Sequence, residues 1–198
     1  RHIEAGGRSI PLKHMASSGA VALYPEAYLN MIRPGALLYG FNFHWADLPL
    51  RPVLSWKTRV KHLIYAKKGI RVGYDRTYIP TKDTTLAVLS IGYADGYSRM
   101  LSNRSHVIIR GNRVPVVGLV GMNETVADVG RSFDVSTGDE VILIGEDRTK
   151  RVSAVDLADL FDTTPVIFTC GISERVGRIY LNRCLNENPV SPPFRKGG

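Results

Sequence analysis

Between Thr58 and Ile144 the chain carries six short apolar segments set apart by turn residues, and this pattern restricts it to a compact, mostly antiparallel β domain. The segments are Thr58 to Tyr65, Thr84 to Ile91, Ser105 to Ile109, Val114 to Val120, Val126 to Val129 and Glu140 to Ile144. Many of their residues are β-branched, which suits a pleated, half-buried surface. Gly111-Asn112 marks a hairpin and Gly138-Asp139 a second turn. One helix is signalled beyond them. Ser153 is its N-cap, Asp156 takes the capping-box position, and Leu157, Leu160 and Phe161 share one face. The spacing predicts a barrel or a sandwich.

The first part of the chain has a different texture. Ile10 to Met15 reads as a strand, Ala16 to Gly19 as a small-residue loop, Pro25 to Ile32 as a short helix, and Ala36 to Tyr39 as a second strand. Strand, helix and strand in about forty residues is a βαβ unit. Two strands cannot close a core, so residues 1–45 read as the end of an α/β barrel, residues 46–184 as the β domain, and residues 185–198 as a flexible, unpacked tail. The chain opens on Arg1 and reads as an internal piece of a longer protein.

Charge and cysteine usage narrow the function classes. The net charge is +8, but the basic residues are scattered, with short groups at Lys67-Lys68 and around Arg148 to Arg151. That distribution suits a solvated surface and gives no nucleic-acid footprint. Cys170 and Cys184 form no CxxC pair, and no Cys/His cluster has metal spacing. Cys170, in the apolar run from Pro165, reads as a small buried hydrophobe. This usage fits a reducing, cytoplasmic compartment. No apolar run has membrane-spanning length.

Three places hold residues suited to chemistry. Ser18-Gly19 after a strand can offer a hydroxyl and backbone N–H groups to a phosphate. Arg33-Pro-Gly35 lets backbone approach a ligand. Gly92-Tyr-Ala-Asp-Gly96 follows a strand and is unusually rich in special residues. Each alone is more simply a turn, and a tyrosine more often packs than reacts.

In chain order, however, the sequence reads His14-Met-Ala-Ser-Ser-Gly-Ala20, Met31-Ile-Arg-Pro-Gly-Ala-Leu-Leu-Tyr-Gly40, Val72-Gly-Tyr-Asp-Arg-Thr-Tyr78, Ile91-Gly-Tyr-Ala-Asp-Gly-Tyr97, Arg113-Val-Pro-Val-Val-Gly118, Gly138-Asp-Glu-Val141 and Gly171-Ile-Ser-Glu-Arg-Val176. Together these motifs resemble the alanine racemase family, fold-type III enzymes dependent on pyridoxal 5'-phosphate (PLP), from residue 8 to residue 182. The resemblance implies the last strand-helix-strand segment of a PLP-binding (β/α)8 barrel followed by a barrel-like C-terminal β domain.

It also implies roles. Ser18 and the backbone N–H groups of Gly35 and Ala36 would bind the cofactor's phosphate. Arg33 would face the pyridine nitrogen. Arginine only donates hydrogen bonds, so it would keep that nitrogen unprotonated and weaken the ring as an electron sink. His14 would support Arg33. Tyr93 would be one of two catalytic bases, acting on PLP held by the other subunit of a homodimer. A free tyrosine ionises only near pH ~10, so such a base needs neighbours that tune it. The backbone of Met122 would reach the carboxylate of a small substrate, alanine. The family's second base, a lysine that carries the cofactor, has no matching motif here, so this stretch by itself is expected to be inactive.

Four positions depart from the family pattern. Leu119 stands where arginine is common, Asn123 where aspartate is common, Asp75 where glycine is usual, and Glu174 where some members have tyrosine. These leave three readings besides an alanine racemase: a racemase of another small amino acid such as serine, a non-catalytic dimerisation or binding module, and an RNA-binding barrel, which the scattered charge disfavours.

Overall fold

The computed structural model describes residues 6–7, 9–41, 48–131 and 134–181. The expected domain boundary at 45/46, the tail from 185, and Cys184 lie outside the described residues.

The chain begins with strand β1 (His14–Ser17), helix α1 (Ser18–Leu23) and strand β2 (Met31–Arg33), with β1 and β2 parallel. The strand-helix-strand order is as expected, but its parts are displaced. Small residues after Ser17 form the helix instead of a loop. The segment from Pro25 makes a single 3-10 turn, Pro25–Ala27. The expected helix fails because Leu29 is left-handed (φ 52°) and Asn30 bonds away from it. Asn30 accepts from Lys13 N at 2.6 Å and donates to Pro11 O at 2.7 Å, a competing use of an amide side chain. Ala36–Tyr39 is a 3-10 turn, not a strand. Gly40 ends it at φ 73°, where a β-carbon would collide with the Arg51 backbone.

The larger sheet holds β3 (Trp56–Ala66), β4 (Thr84–Leu89), β5 (His106–Ile109), β6 (Asn112–Val117), β7 (Thr125–Gly130), β8 (Glu140–Asp147) and β9 (Lys150–Val152). Its order is β3-β4-β7-β6-β5-β8-β9, and β3 pairs with β8 as well. Trp56 to Arg59 run beside β8, while Val60 to Ala66 run beside β4, with a register break at Val60/His62. One bulged strand thus serves both edges and closes six strands into a ring. This is the barrel-like alternative of the two expected.

The ring is filled by branched aliphatics, among them Val60, Leu89, Ile108, Val114 and Leu143, all 1% exposed or less. The β5–β6 hairpin turns through Arg110 (φ 49°) and Gly111 (φ 75°), the left-handed pair that a two-residue hairpin requires, and Asn112 is already strand. Helix α2 (Ala154–Asp159) has the expected cap: Asp156 N donates to Ser153 Oγ at 3.0 Å, and Ser153 N donates to the Asp156 carboxylate at 2.8 Å. Helix α3 (Val166–Cys170) was not anticipated. It buries Phe168, so Cys170, two residues and about 200° further round, is exposed instead of buried. The β1–β2 segment joins the ring through Ala36, which packs on the core, and Phe41, which is part of it.

Candidate active site

The first group of expected residues lies at the C-terminal ends of β1 and β2. Parallel strands direct their C-terminal ends and following turns to one edge, where α/β folds place ligands. Ser17 registers with Arg33, so Ser18 and Gly35 emerge side by side. The N–H groups of Gly35 and Leu37 donate to Ser18 Oγ at 3.0 and 3.4 Å. A β-carbon on Gly35 would meet nothing within 4 Å, so the space over these donors is open. An open cradle of a hydroxyl and converging backbone N–H groups suits a phosphate. Leu37 was missed from the sequence because its amide joins the cradle only through the 3-10 turn. Arg33, at the end of β2, is exposed beside the cradle. His14 registers with Met31, at the far end of the ladder from Arg33, and no hydrogen bond joins His14 to Arg33 among the described residues.

The second group surrounds the Gly118–Glu124 turn between β6 and β7. Tyr93 opens a 3-10 turn, Tyr93–Asp95, just after β4. Tyr93 N donates to Gly121 O at 2.9 Å and Ala94 N to Met122 O at 3.0 Å. A β-carbon on Gly92 would collide with the backbone of Gly121 and Met122, so glycine is needed for this approach. Asp95 braces the turn: its carboxylate accepts from Gly92 N at 3.0 Å and lies 3.7 Å from Arg175 Nε, and its carbonyl accepts from Ser173 N at 3.0 Å. The motif at Gly171 to Val176 therefore docks on the motif at Gly92 to Gly96.

Two residues at this turn were not singled out in the sequence. Arg99 donates to Val120 O at 3.2 Å and brings a guanidinium to the group. Tyr74 lies on the β3–β4 connection, with its ring edge 3.9 Å from the β-carbon position of Gly121. Tyr74 is 73% exposed, Tyr93 46% and Met122 55%. Such exposure of three large side chains in one place marks a contact or binding surface. The Tyr74 segment is also strained: Asp75 and Arg76 are left-handed at φ 55° and 53°, after Gly73 at 74°. Strain of this kind concentrates at functional sites. The sequence marked this segment only as the motif Val72 to Tyr78, with Asp75 departing from the family pattern, and assigned Tyr74 no role.

Leu119 N is 3.9 Å from the β-carbon position of Gly73, so the uncharged Leu119 borders the Tyr74 segment. Glu174 is exposed. No hydrogen bond joins the Ser18 group to the Tyr93 group among the described residues. None of the described helices is long and apolar enough to cross a membrane, and no described His, Cys, Asp and Glu gather in a metal-holding group.

Comparison with known proteins gives a consistent result. The alanine racemase C-terminal domain matches residues 53–180. The alanine racemase of Halothermothrix orenii is 42% identical over 177 residues, 88% of this chain and 47% of that protein. The crystal structure of the Bacillus anthracis alanine racemase with bound L-Ala-P superposes with a TM-score of 0.85 at 30% identity, covering 96% of this chain and 49% of that one. That of the Bartonella henselae alanine racemase with covalently bound pyridoxal phosphate gives 0.76 at 32%, covering 84% and 46%. The chain spans about half the length of the curated relatives it matches.

Proposed function

Because this chain belongs to the alanine racemase family, we propose that it is the C-terminal part of a PLP-dependent racemase that interconverts L- and D-alanine. The observation that carries the reading is the convergence of the Gly35 and Leu37 N–H groups on Ser18 Oγ, under open space at the ends of two parallel strands. A Bartonella relative with bound cofactor and a Bacillus relative with L-Ala-P support it.

In this reading Ser18 and the N–H groups of Gly35, Ala36 and Leu37 hold the phosphate. Arg33 would face the ring nitrogen; the support from His14 that the resemblance implies is not a direct hydrogen bond among the described residues, since His14 registers with Met31 and not with Arg33. Bound PLP acidifies the substrate's α-hydrogen by delocalising the charge its loss leaves behind. Met122 positions the substrate carboxylate through its backbone. A tyrosine hydroxyl at the Gly118–Glu124 turn moves the proton on one face, and a lysine from the rest of the parent serves the other. The parent would be a homodimer, as the resemblance implies, with each subunit completing the other's site; the lack of a hydrogen bond between the Ser18 and Tyr93 groups among the described residues accords with that. Exposed Met15, Ile32 and Leu38 suit cover by the remainder of a barrel. The enzyme would be cytoplasmic and supply D-alanine for cell-wall peptidoglycan, with no nucleic-acid or membrane partner.

Tyr93 is the base that the resemblance implies. The strained segment and greater exposure of Tyr74 favour Tyr74 as a competitor for that role. The full-length parent should be yellow with PLP and racemise alanine. Phenylalanine in place of the true base should abolish solvent deuterium incorporation from one enantiomer while PLP stays bound. Normal exchange in both Tyr74→Phe and Tyr93→Phe would remove the tyrosine from the mechanism. Because Leu119 is uncharged, L- and D-serine belong in the same assay.

A further inference from the structure

Two carboxylates hold the base of the β3–β4 connection that carries Tyr74. Asp83, within it, accepts from Lys68 N at 2.9 Å and from the Tyr65 hydroxyl at 2.7 Å, and Asp128 reaches it from the sheet. Asp128, on β7, accepts hydrogen bonds from the hydroxyls of Tyr78 and Thr84, and from Gly130 N at 2.9 Å. Thr84, 1% exposed, is the first residue of β4, so one side chain ties the end of the connection to two strands. Tyr78 also packs with Val72 and Val126 on a small core of Ala66, Leu86 and Val117, separate from the main one. Above it, Val72 N donates to Tyr78 O and Gly69 N to Pro80 O, both at 2.9 Å. The segment between Val72 and Tyr78 contains the left-handed Asp75 and Arg76. A strained backbone persists only where its ends are fixed.

We infer that Asp128 is a positioning residue: through Tyr78 it fixes the segment that presents Tyr74 to the Gly121–Met122 turn. The phenol of Tyr78 is pushed up to about 12, first by burial and then by the hydrogen bond and charge of Asp128, so it remains a donor throughout the neutral range. A second tether, from Asn103 Nδ2 to Thr77 Oγ1 at 3.1 Å, holds the other side of the segment. It leaves Tyr78 itself to Asp128. The catalytic consequence rests on the racemase reading above; the clamp itself does not.

The test uses the full-length protein and the variants Asp128→Ala, Asp128→Asn and Tyr78→Phe. Asparagine keeps an acceptor for Thr84 and Gly130, and its amide can donate to the Tyr78 oxygen. In Asp128→Ala and Tyr78→Phe, hydrogen exchange at the Val72 amide should quicken at least about tenfold, and kcat should fall roughly 10- to 100-fold with KM changed less than about twofold. Asp128→Asn should recover most of both, and it carries the test if the alanine variant does not fold. Unchanged Val72 exchange in both disruptive variants would overturn the clamp. Quickened exchange with unchanged kcat would overturn the positioning role. A wild-type protein that racemises nothing would instead defeat the racemase reading, and the exchange measurement would still decide whether the clamp exists.

Discussion

Gly92 lies so close to the carbonyl of Met122 that a single β-carbon would overlap it. The contact seats the Tyr93 turn on the Gly121–Met122 backbone, through the bonds from Tyr93 N and Ala94 N. Gly92→Ala should therefore cost about 1–3 kcal/mol, the range for forcing extra volume into a packed site. Gly177→Ala is the control, because a β-carbon there meets nothing within 4 Å. It should change stability by less than about 0.5 kcal/mol. Urea unfolding of the two variants checks the pair, and equal losses would refute the close-approach argument.

The strands were legible where their signals are local. Four expected segments fall within two residues of β3, β4, β5 and β7 at both ends, while β6 ends three residues short of Val120 and β8 runs three residues past Ile144. Strand β9 was not legible: it is three residues long, two of them charged, and it pairs with Gly145 to Asp147 across a left-handed Arg148. Ring closure was hidden too, since it depends on one strand changing partners at Arg59 and Val60. The site divides in the same way. Ser18 stands out as a small residue after an expected strand, and Gly35 as part of the Arg33-Pro-Gly35 break between an expected helix and the next expected strand. Tyr74 did not, because its place beside Gly121 comes from a tertiary contact and its strain from φ angles no residue type announces.

If Ser18 is part of a phosphate cradle, its removal should act on cofactor binding before it acts on folding. Ser18→Ala takes away the acceptor of the Gly35 and Leu37 N–H groups and one donor to the ligand. Hydrogen bonds to charged groups contribute about 1.5–3 kcal/mol, so the Kd for PLP should rise roughly 10- to 100-fold. Titration of the apo full-length protein followed at the cofactor's absorbance measures this. An unchanged Kd would place the phosphate elsewhere.

The reciprocal bonds between Ser153 and Asp156 give the start of α2 a measurable share of stability. Ser153→Ala should cost about 1 kcal/mol, and Asp156→Asn less, since an amide oxygen can still accept from Ser153 N. Leu157 and Ala158 bury this helix against the core, so the loss should appear in global unfolding instead of local fraying.

Alkaline pH should act through Tyr97. Its ring is 1% exposed, edge-on to Trp56 at 6.0 Å, and its hydroxyl is 2.9 Å from Ser105 Oγ. Burial pushes the phenol up to about 12, and the hydrogen bond from Ser105 offsets only part of that. In the unfolded chain the same group ionises near ~10. Above that value the unfolded state releases a proton that the folded state keeps, so the Tyr97 contribution is complete below pH ~10 and lost as pH rises toward about 12. The slope it adds is about 1.4 kcal/mol per pH unit across that window. Tyr97→Phe removes the ionising group and leaves Ser105 Oγ short of its partner. The variant should be about 1 kcal/mol less stable at pH 8, and the deficit should shrink or reverse by pH 11. Urea unfolding at the two pH values reads both effects, and a deficit that stays constant would show that the buried phenol does not set the alkaline limit.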